Sequence, residues 1–319
     1  MTAANDLTRL SSTTADSAPP AVNRRSLLRV AMALPMGIGM ASLPGCGNGD
    51  IVDALVPNRF VVFGDGMSDV GQTGKRFTIN DGTINIWAER VASRYGKTVE
   101  PQSKGGLGYA RGHGAQETAP SSIGQQIDAF LASNSPQARD VVLLNLPMAE
   151  VLSAAEAVRS GTLTETLALQ RIETAGKDLV AQVRRLVAAG LRYVVVCGVY
   201  DLGKSPFAIA KGQVGFMSAA SLKLNDSFKV TAVDMGNELL FVDAAYLVNR
   251  NVEFGPTHGF LESKKPICNT PDASTCTDAT LVVEVSKKPT YLFADDLHLT
   301  PVAHQQLGDY AGDQLKGRW

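Results

Sequence analysis

Four short apolar runs constrain this chain more than any other feature. They are Arg59-Phe60-Val61-Val62-Phe63-Gly64, Val141-Val142-Leu143-Leu144, Tyr193-Val194-Val195-Val196-Cys197 and Leu239-Leu240-Phe241-Val242. Each has strand length and none alternates apolar with polar residues, so each reads as a strand buried on both faces. Helical patterns separate them. Ile172, Ala175, Leu179, Val183 and Leu186 recur every three or four residues, and Gly190 follows as a stop. Further helices are expected over about 84–95, 122–131, 218–235 and 301–315. Strands alternating with helices argue a mainly parallel sheet, right-handed crossovers and helices on both faces: a single three-layer α/β/α domain. Ligands of such sheets bind beyond the carboxyl ends of the strands, which directs attention to the residues just after the first run.

Residues 1–46 read as an export signal rather than as structure. Asn23-Arg24-Arg25-Ser26-Leu27-Leu28 closes a polar region and looks like a twin-arginine signal. The apolar stretch from Val30 to Leu43 has fourteen residues and contains Pro35, Gly37 and Gly39. A spanning helix needs roughly 20 apolar residues, so a transmembrane segment is not expected. Leu43-Pro44-Gly45-Cys46 resembles a lipobox, in which the Cys46 thiol is lipidated. An ordinary cleaved signal with an incidental cysteine is the other reading, since Pro44 is unusual at its position. Residues 47–57 read as a tether and 58–319 as the folded domain. The expected location is therefore the periplasm or the outer membrane, with Cys46 as a lipid anchor.

The 30 basic and 31 acidic residues nearly balance, so nothing points to nucleic acid, and a neutral partner is expected. Cys268 and Cys276 flank a polar loop and, in an oxidising compartment, are expected to pair. Cys197 lies inside an apolar run and reads as a buried strand residue. No set of His, Cys, Asp and Glu has metal-site spacing, and no metal or other cofactor is expected.

The first run continues as Gly64-Asp65-Gly66-Met67-Ser68-Asp69-Val70-Gly71, and near the other end stands Asp295-Asp296-Leu297-His298-Leu299-Thr300. Between them lie Ile86-Trp87-Ala88-Glu89, the glycine block Gly105-Gly106-Leu107-Gly108-Tyr109-Ala110-Arg111-Gly112, and Asp201-Leu202-Gly203-Lys204-Ser205-Pro206. Together these segments resemble the SGNH (GDSL) hydrolases, specifically the secreted phospholipase, lecithinase and hemolysin-like branch of esterases and lipases. The resemblance covers essentially the whole domain and implies a flavodoxin-like sheet and ester hydrolysis. In that chemistry a serine on the strand-to-helix turn attacks the ester, a histidine takes its proton, and an aspartate three residues earlier orients the imidazole. Asp295 and His298 match the last two roles.

The serine position is Gly66, which has no side chain. The resemblance implies an oxyanion hole made of two backbone N–H groups, here Gly66 and Gly112, and an asparagine side chain. Pro147-Met148-Ala149-Glu150 aligns with the third block, which puts Ala149 where the asparagine belongs. Asp65 belongs with the same binding residues. Ser68, two positions on, is a substitute nucleophile only if the turn is rearranged, and otherwise reads as a helix N-terminal cap. His304 reads as a surface or packing residue, and His113 is open between ligand binding and a plain loop role. Three functions follow: an ester hydrolase with residual or rerouted activity, a non-catalytic ligand-binding pseudo-hydrolase of the cell envelope, or a structural lipoprotein. For the first two, the expected ligand is a neutral ester or lipid-like small molecule.

Overall fold

In a computed structural model, residues 54–83, 86–112 and 123–319 of the protein are described. All of them belong to one unit, Val52–Trp319. The expected export signal with Cys46, most of the tether, and His113 lie outside the described residues. At the end of the expected tether, Leu55 N–H donates to the Trp319 carbonyl at 2.7 Å. The folded unit therefore begins no later than Leu55.

The four apolar runs form β1 (Arg59–Phe63), β2 (Asp140–Asn145), β3 (Tyr193–Cys197) and β4 (Leu239–Val242), paired in that order and all parallel. On the other side of β1, Val62 N–H donates to Leu107 O at 2.9 Å and Val62 O accepts from Tyr109 N at 2.7 Å. The glycine block therefore flanks β1, which gives the doubly wound arrangement in which the first strand is interior. Every residue of β2 is buried, as a non-alternating run demands.

Helices cover both faces. On one lie α2 (Ile123–Ser133), α3 (Met148–Arg159), α4 (Glu165–Ala188) and α6 (Val214–Thr231), with α4 packed on the other three. The α4 stripe of Ile172, Leu179, Val183 and Leu186 is buried as its spacing requires, and Thr164 caps the helix by accepting from Leu167 N–H. A second group pairs α1 (Trp87–Ser93) with α8 (Pro301–Arg318). The remaining helices are α5 (Pro206–Lys211) and α7 (Ala244–Glu253). Two short strands, β5 (Glu262–Pro266) and β6 (Tyr291–Phe293), make a small second sheet. Cys268 and Cys276 form a disulfide beside it, and Cys197 is a buried free thiol.

Among the described residues no helix is long and apolar enough to cross a membrane. The expected helix near residue 84 is described from Trp87 onward, because 84 and 85 lie outside the described residues.

Candidate active site

The chain leaves β1 at Gly64, whose φ of +141° is accessible to glycine and strained for other residues. A Cβ there would also stand 1.9 Å from Asn145 Oδ1. Gln126 of α2 grips the same residue from both sides, accepting from Gly64 N–H at 2.9 Å and donating to its carbonyl at 2.8 Å.

Asp65 ties three elements together. Its Oδ1 accepts from Asn145 Nδ2 at 2.7 Å and from Met67 N–H at 3.0 Å, while Oδ2 accepts from Met148 N–H at 2.7 Å. Met148 begins α3, and Pro147 before it offers no side-chain cap. The Asp65 carboxylate thus satisfies an N–H group of the helix start from outside and meets the positive end of the helix dipole. Asp65 joins the ends of β1 and β2 to the first turn of α3, where Ala149 is buried.

Gly66, Met67 and Ser68 form a turn, closed by Ser68 N–H donating to Asp65 O at 3.0 Å. No helix starts here, which corrects the expected capping role of Ser68. Its side chain is wholly buried, and Oγ accepts from Trp87 Nε1 at 2.9 Å. Trp87 anchors α1, and its backbone N–H donates to His304 Nδ1 of α8 at 3.3 Å. Packing of Trp87 between the turn and α8 therefore draws the Ser68 hydroxyl toward α1. The N–H of Gly112 donates to Asp69 Oδ2 at 2.9 Å. The Asp69 Oδ1 atom accepts from Gly71 and Gln72 N–H, both at 2.8 Å, so Asp69 organises the loop.

Asp295 and His298 follow β6. Asp295 Oδ2 lies 2.9 Å from His298 Nδ1, and its Oδ1 accepts from Leu297 N–H at 2.8 Å and from His298 N–H at 2.6 Å. This geometry puts the Nδ1 side of the ring against the carboxylate, so that a proton on Nδ1 is shared between the two. Burial alone pushes the Asp295 carboxyl up. The nearby His298 and the backbone donors outweigh it and hold the group below its ordinary value. A further donor to Oδ2 is Ala273 N–H, at 2.9 Å.

Phe77 packs at a tilt of 34° against His298 with ring centroids 5.3 Å apart, and a Cβ on Gly112 would meet Phe77 Cε2 at 2.0 Å. Thr78 Oγ1 donates to Leu299 O at 2.8 Å and fixes this segment beside the histidine. Contacts thus run from Asp69 through Gly112 and Phe77 to His298, joining the two distant motifs. His304 is buried, and burial together with nearby His298 lowers its imidazole to about 3. Tyr200 donates to Leu297 O at 2.6 Å, and burial beside Asp295 and Asp65 raises its phenol well above the usual range. Among the described residues no three His, Cys, Asp or Glu side chains are arranged to hold a metal ion.

Asn145, Gln126, Phe77 and Thr78 escaped the sequence reading. Only Asn145, a polar residue closing an apolar strand, carried a visible signal; the other three act through partners distant in sequence.

A family model described as GDSL-like Lipase/Acylhydrolase matches residues 60–311. The chain belongs to this family. No curated protein sequence matches it significantly. Among solved structures, this GDSL chain is similar to a lipolytic protein of the G-D-S-L family from Veillonella parvula. That match has 10% identity and a TM-score of 0.45, and covers 79% of this chain and 95% of that one. A phospholipase A1 from Streptomyces albidoflavus matches at 14% identity and TM-score 0.40, covering 82% and 99%. Est24, a carbohydrate acetylesterase from Sinorhizobium meliloti, matches at 15% identity and TM-score 0.41, again over 82% and 99%.

An open groove of about 580 Å³ runs between α2, α3 and α4 of this GDSL domain, and none of Gly66, Ser68, Asp295 and His298 lines it. Ile123, Leu163 and Leu179 line it together with Glu150, Arg171 and Asp178. Burial, and secondarily Asp178, raises the Glu150 carboxyl above its ordinary value.

Proposed function

We propose that this GDSL-family chain is a lipid-anchored envelope protein that binds a neutral ester or lipid-like molecule and does not hydrolyse it through a serine adduct. One observation carries the reading: the position after Gly64-Asp65 has no side chain, and the hydroxyl nearest in sequence, Ser68 Oγ, is buried in a hydrogen bond to Trp87. Loss of a triad nucleophile costs ~10⁶ in kcat, more than the remaining groups can offset. Ala149 in the third block and the bond from Gly112 N–H to Asp69 support the same conclusion, because each removes an oxyanion donor. An open groove of about 580 Å³ between α2, α3 and α4 has the size of a small-molecule site, although none of Gly66, Ser68, Asp295 and His298 lines it.

The bonded Asp295–His298 pair favours one second reading, slow hydrolysis by a water that the imidazole activates. Rates of the mature domain on a panel of p-nitrophenyl esters test both. The proposal expects no turnover above that of His298→Ala. Turnover abolished by Ser68→Ala would refute it, and turnover abolished only by His298→Ala would establish the water route.

A further inference from the structure

Asp295 is held from two directions. Its Oδ1 takes N–H groups from its own turn, whereas Oδ2 takes His298 Nδ1 and, from a distant segment, Ala273 N–H at 2.9 Å. Ala273 is fully buried and lies inside the loop that the Cys268–Cys276 disulfide closes. We propose that this loop is a positioning element for the site: the disulfide keeps Ala273 N–H on Asp295, and thereby sets how the carboxylate faces His298.

The loop is built to present that one donor. Cys268 N–H donates to Ala294 O at 2.9 Å, which fixes one flank to the residue preceding Asp295. On the other flank Asn80 N–H donates to Cys276 O at 2.9 Å, and Asn80 Nδ2 faces the carbonyls of Ala273 and Ser274. Asp272 Oδ1 accepts from Ser274 N–H at 2.8 Å, and Thr275 Oγ1 donates to Asp272 O at 2.8 Å. The carbonyls of Asp272, Ala273, Ser274 and Cys276 are engaged by Asn80 or within the loop, while Ala273 N–H donates to the carboxylate. A carboxylate turns about its last side-chain bond over a broad, roughly two-fold range. A donor from a separate segment narrows that range where donors from the same turn move with it. The bridge limits how far Ala273 can move.

The proposal rests on Asp295 and His298 being the site, but its test reads the imidazole rather than turnover, so an inert wild-type chain does not count against it. The probe is the Nδ1–H proton resonance of His298 in ¹⁵N-histidine-labelled mature domain, assigned by its loss in His298→Gln. Ala273→Pro removes only the donor. Ala273 is the first residue of a short 3₁₀ turn and Asp272 before it is extended, which is the setting proline accepts. Ala273→Gly keeps the donor and serves as the conservative control. The paired Cys268→Ala and Cys276→Ala variant removes the bridge, leaving the Asn80 contacts in place.

We expect the resonance to shift and broaden in Ala273→Pro and in the cysteine variant, with faster solvent exchange, and to hold its place in Ala273→Gly. Sheet amides should stay protected throughout. An unmoved resonance in Ala273→Pro overturns the proposal. Movement there without movement in the folded cysteine variant overturns the role of the disulfide. If the cysteine variant does not fold, reduction of the bridge in the intact domain, two electrons and two protons yielding two thiols, takes its place with the same criterion.

Discussion

Installing serine at position 66 tests whether the rest of the hydrolytic apparatus survives, and the structure sets the size of the response. The Asp295–His298 pair that would serve as base is formed: the two side chains are bonded at 2.9 Å and both are buried. A triad nucleophile is worth ~10⁶ in kcat, while each absent oxyanion donor costs ~10²–10³. On the proposed reading two donors are missing, one because Gly112 N–H is bound to Asp69 and one because residue 149 is alanine. Wild type lacks the same two donors, so if the effects multiply they cancel from the ratio, and ~10⁶ is the ceiling on the gain of Gly66→Ser over wild type. Adding Ala149→Asn returns one donor and raises the rate of Gly66→Ser by up to a further ~10²–10³, provided the first turn of α3 stays where Asp65 holds it. The assay is steady-state hydrolysis of p-nitrophenyl acetate, with Gly66→Ser/His298→Ala as the zero. A folded Gly66→Ser protein no faster than that zero would refute the claim that the histidine can serve a nucleophile at 66. No further gain from Ala149→Asn on the Gly66→Ser background would refute the account of the oxyanion donors.

Ser68→Ala should destabilise the domain by about 1–3 kcal/mol in urea unfolding, because Trp87 Nε1–H is left buried without an acceptor, and should leave hydrolysis at its background. An unchanged midpoint would contradict the buried bond. Gly64→Ala should cost more than about 3 kcal/mol, since it combines a strained φ with a Cβ 1.9 Å from Asn145 Oδ1; a mild effect would mean that the Gly64–Asn145 contact is not so close. His304, lowered to about 3, refuses a proton that the unfolded chain accepts near its ordinary 6.5. Its contribution to stability is present above about pH 6.5 and is lost as the pH falls toward 3, at up to ~1.4 kcal/mol per pH unit. Unfolding free energies from pH 7 to 4 should therefore slope less in His304→Asn than in wild type, and equal slopes would contradict the neutral buried imidazole.

The central sheet was legible because a strand buried on both faces leaves an unambiguous apolar run, and all four such runs became neighbouring parallel strands. Helix α4 was legible through its periodic stripe. Helix α3 was not, because Pro147-Met148-Ala149-Glu150 reads as a loop motif and its start is capped by Asp65, far away in sequence. β5, Glu-Ser-Lys-Lys-Pro, has no apolar pattern and is a strand only through its pairing with β6. At the site, the Asp295–His298 bond followed from a three-residue spacing that local geometry can satisfy. The direction of the Ser68 hydroxyl did not, because it depends on where Trp87 packs. Nor did the engagement of Gly112 N–H, which a carboxylate from another loop decides.

Labelling by a fluorophosphonate probe, followed by peptide mass mapping, addresses the absence of a serine nucleophile most directly. The account predicts no adduct on the wild-type domain under conditions that label Gly66→Ser at residue 66. An adduct on Ser68 of the wild-type protein would contradict it, because the hydroxyl would then have to leave Trp87 and reach the base.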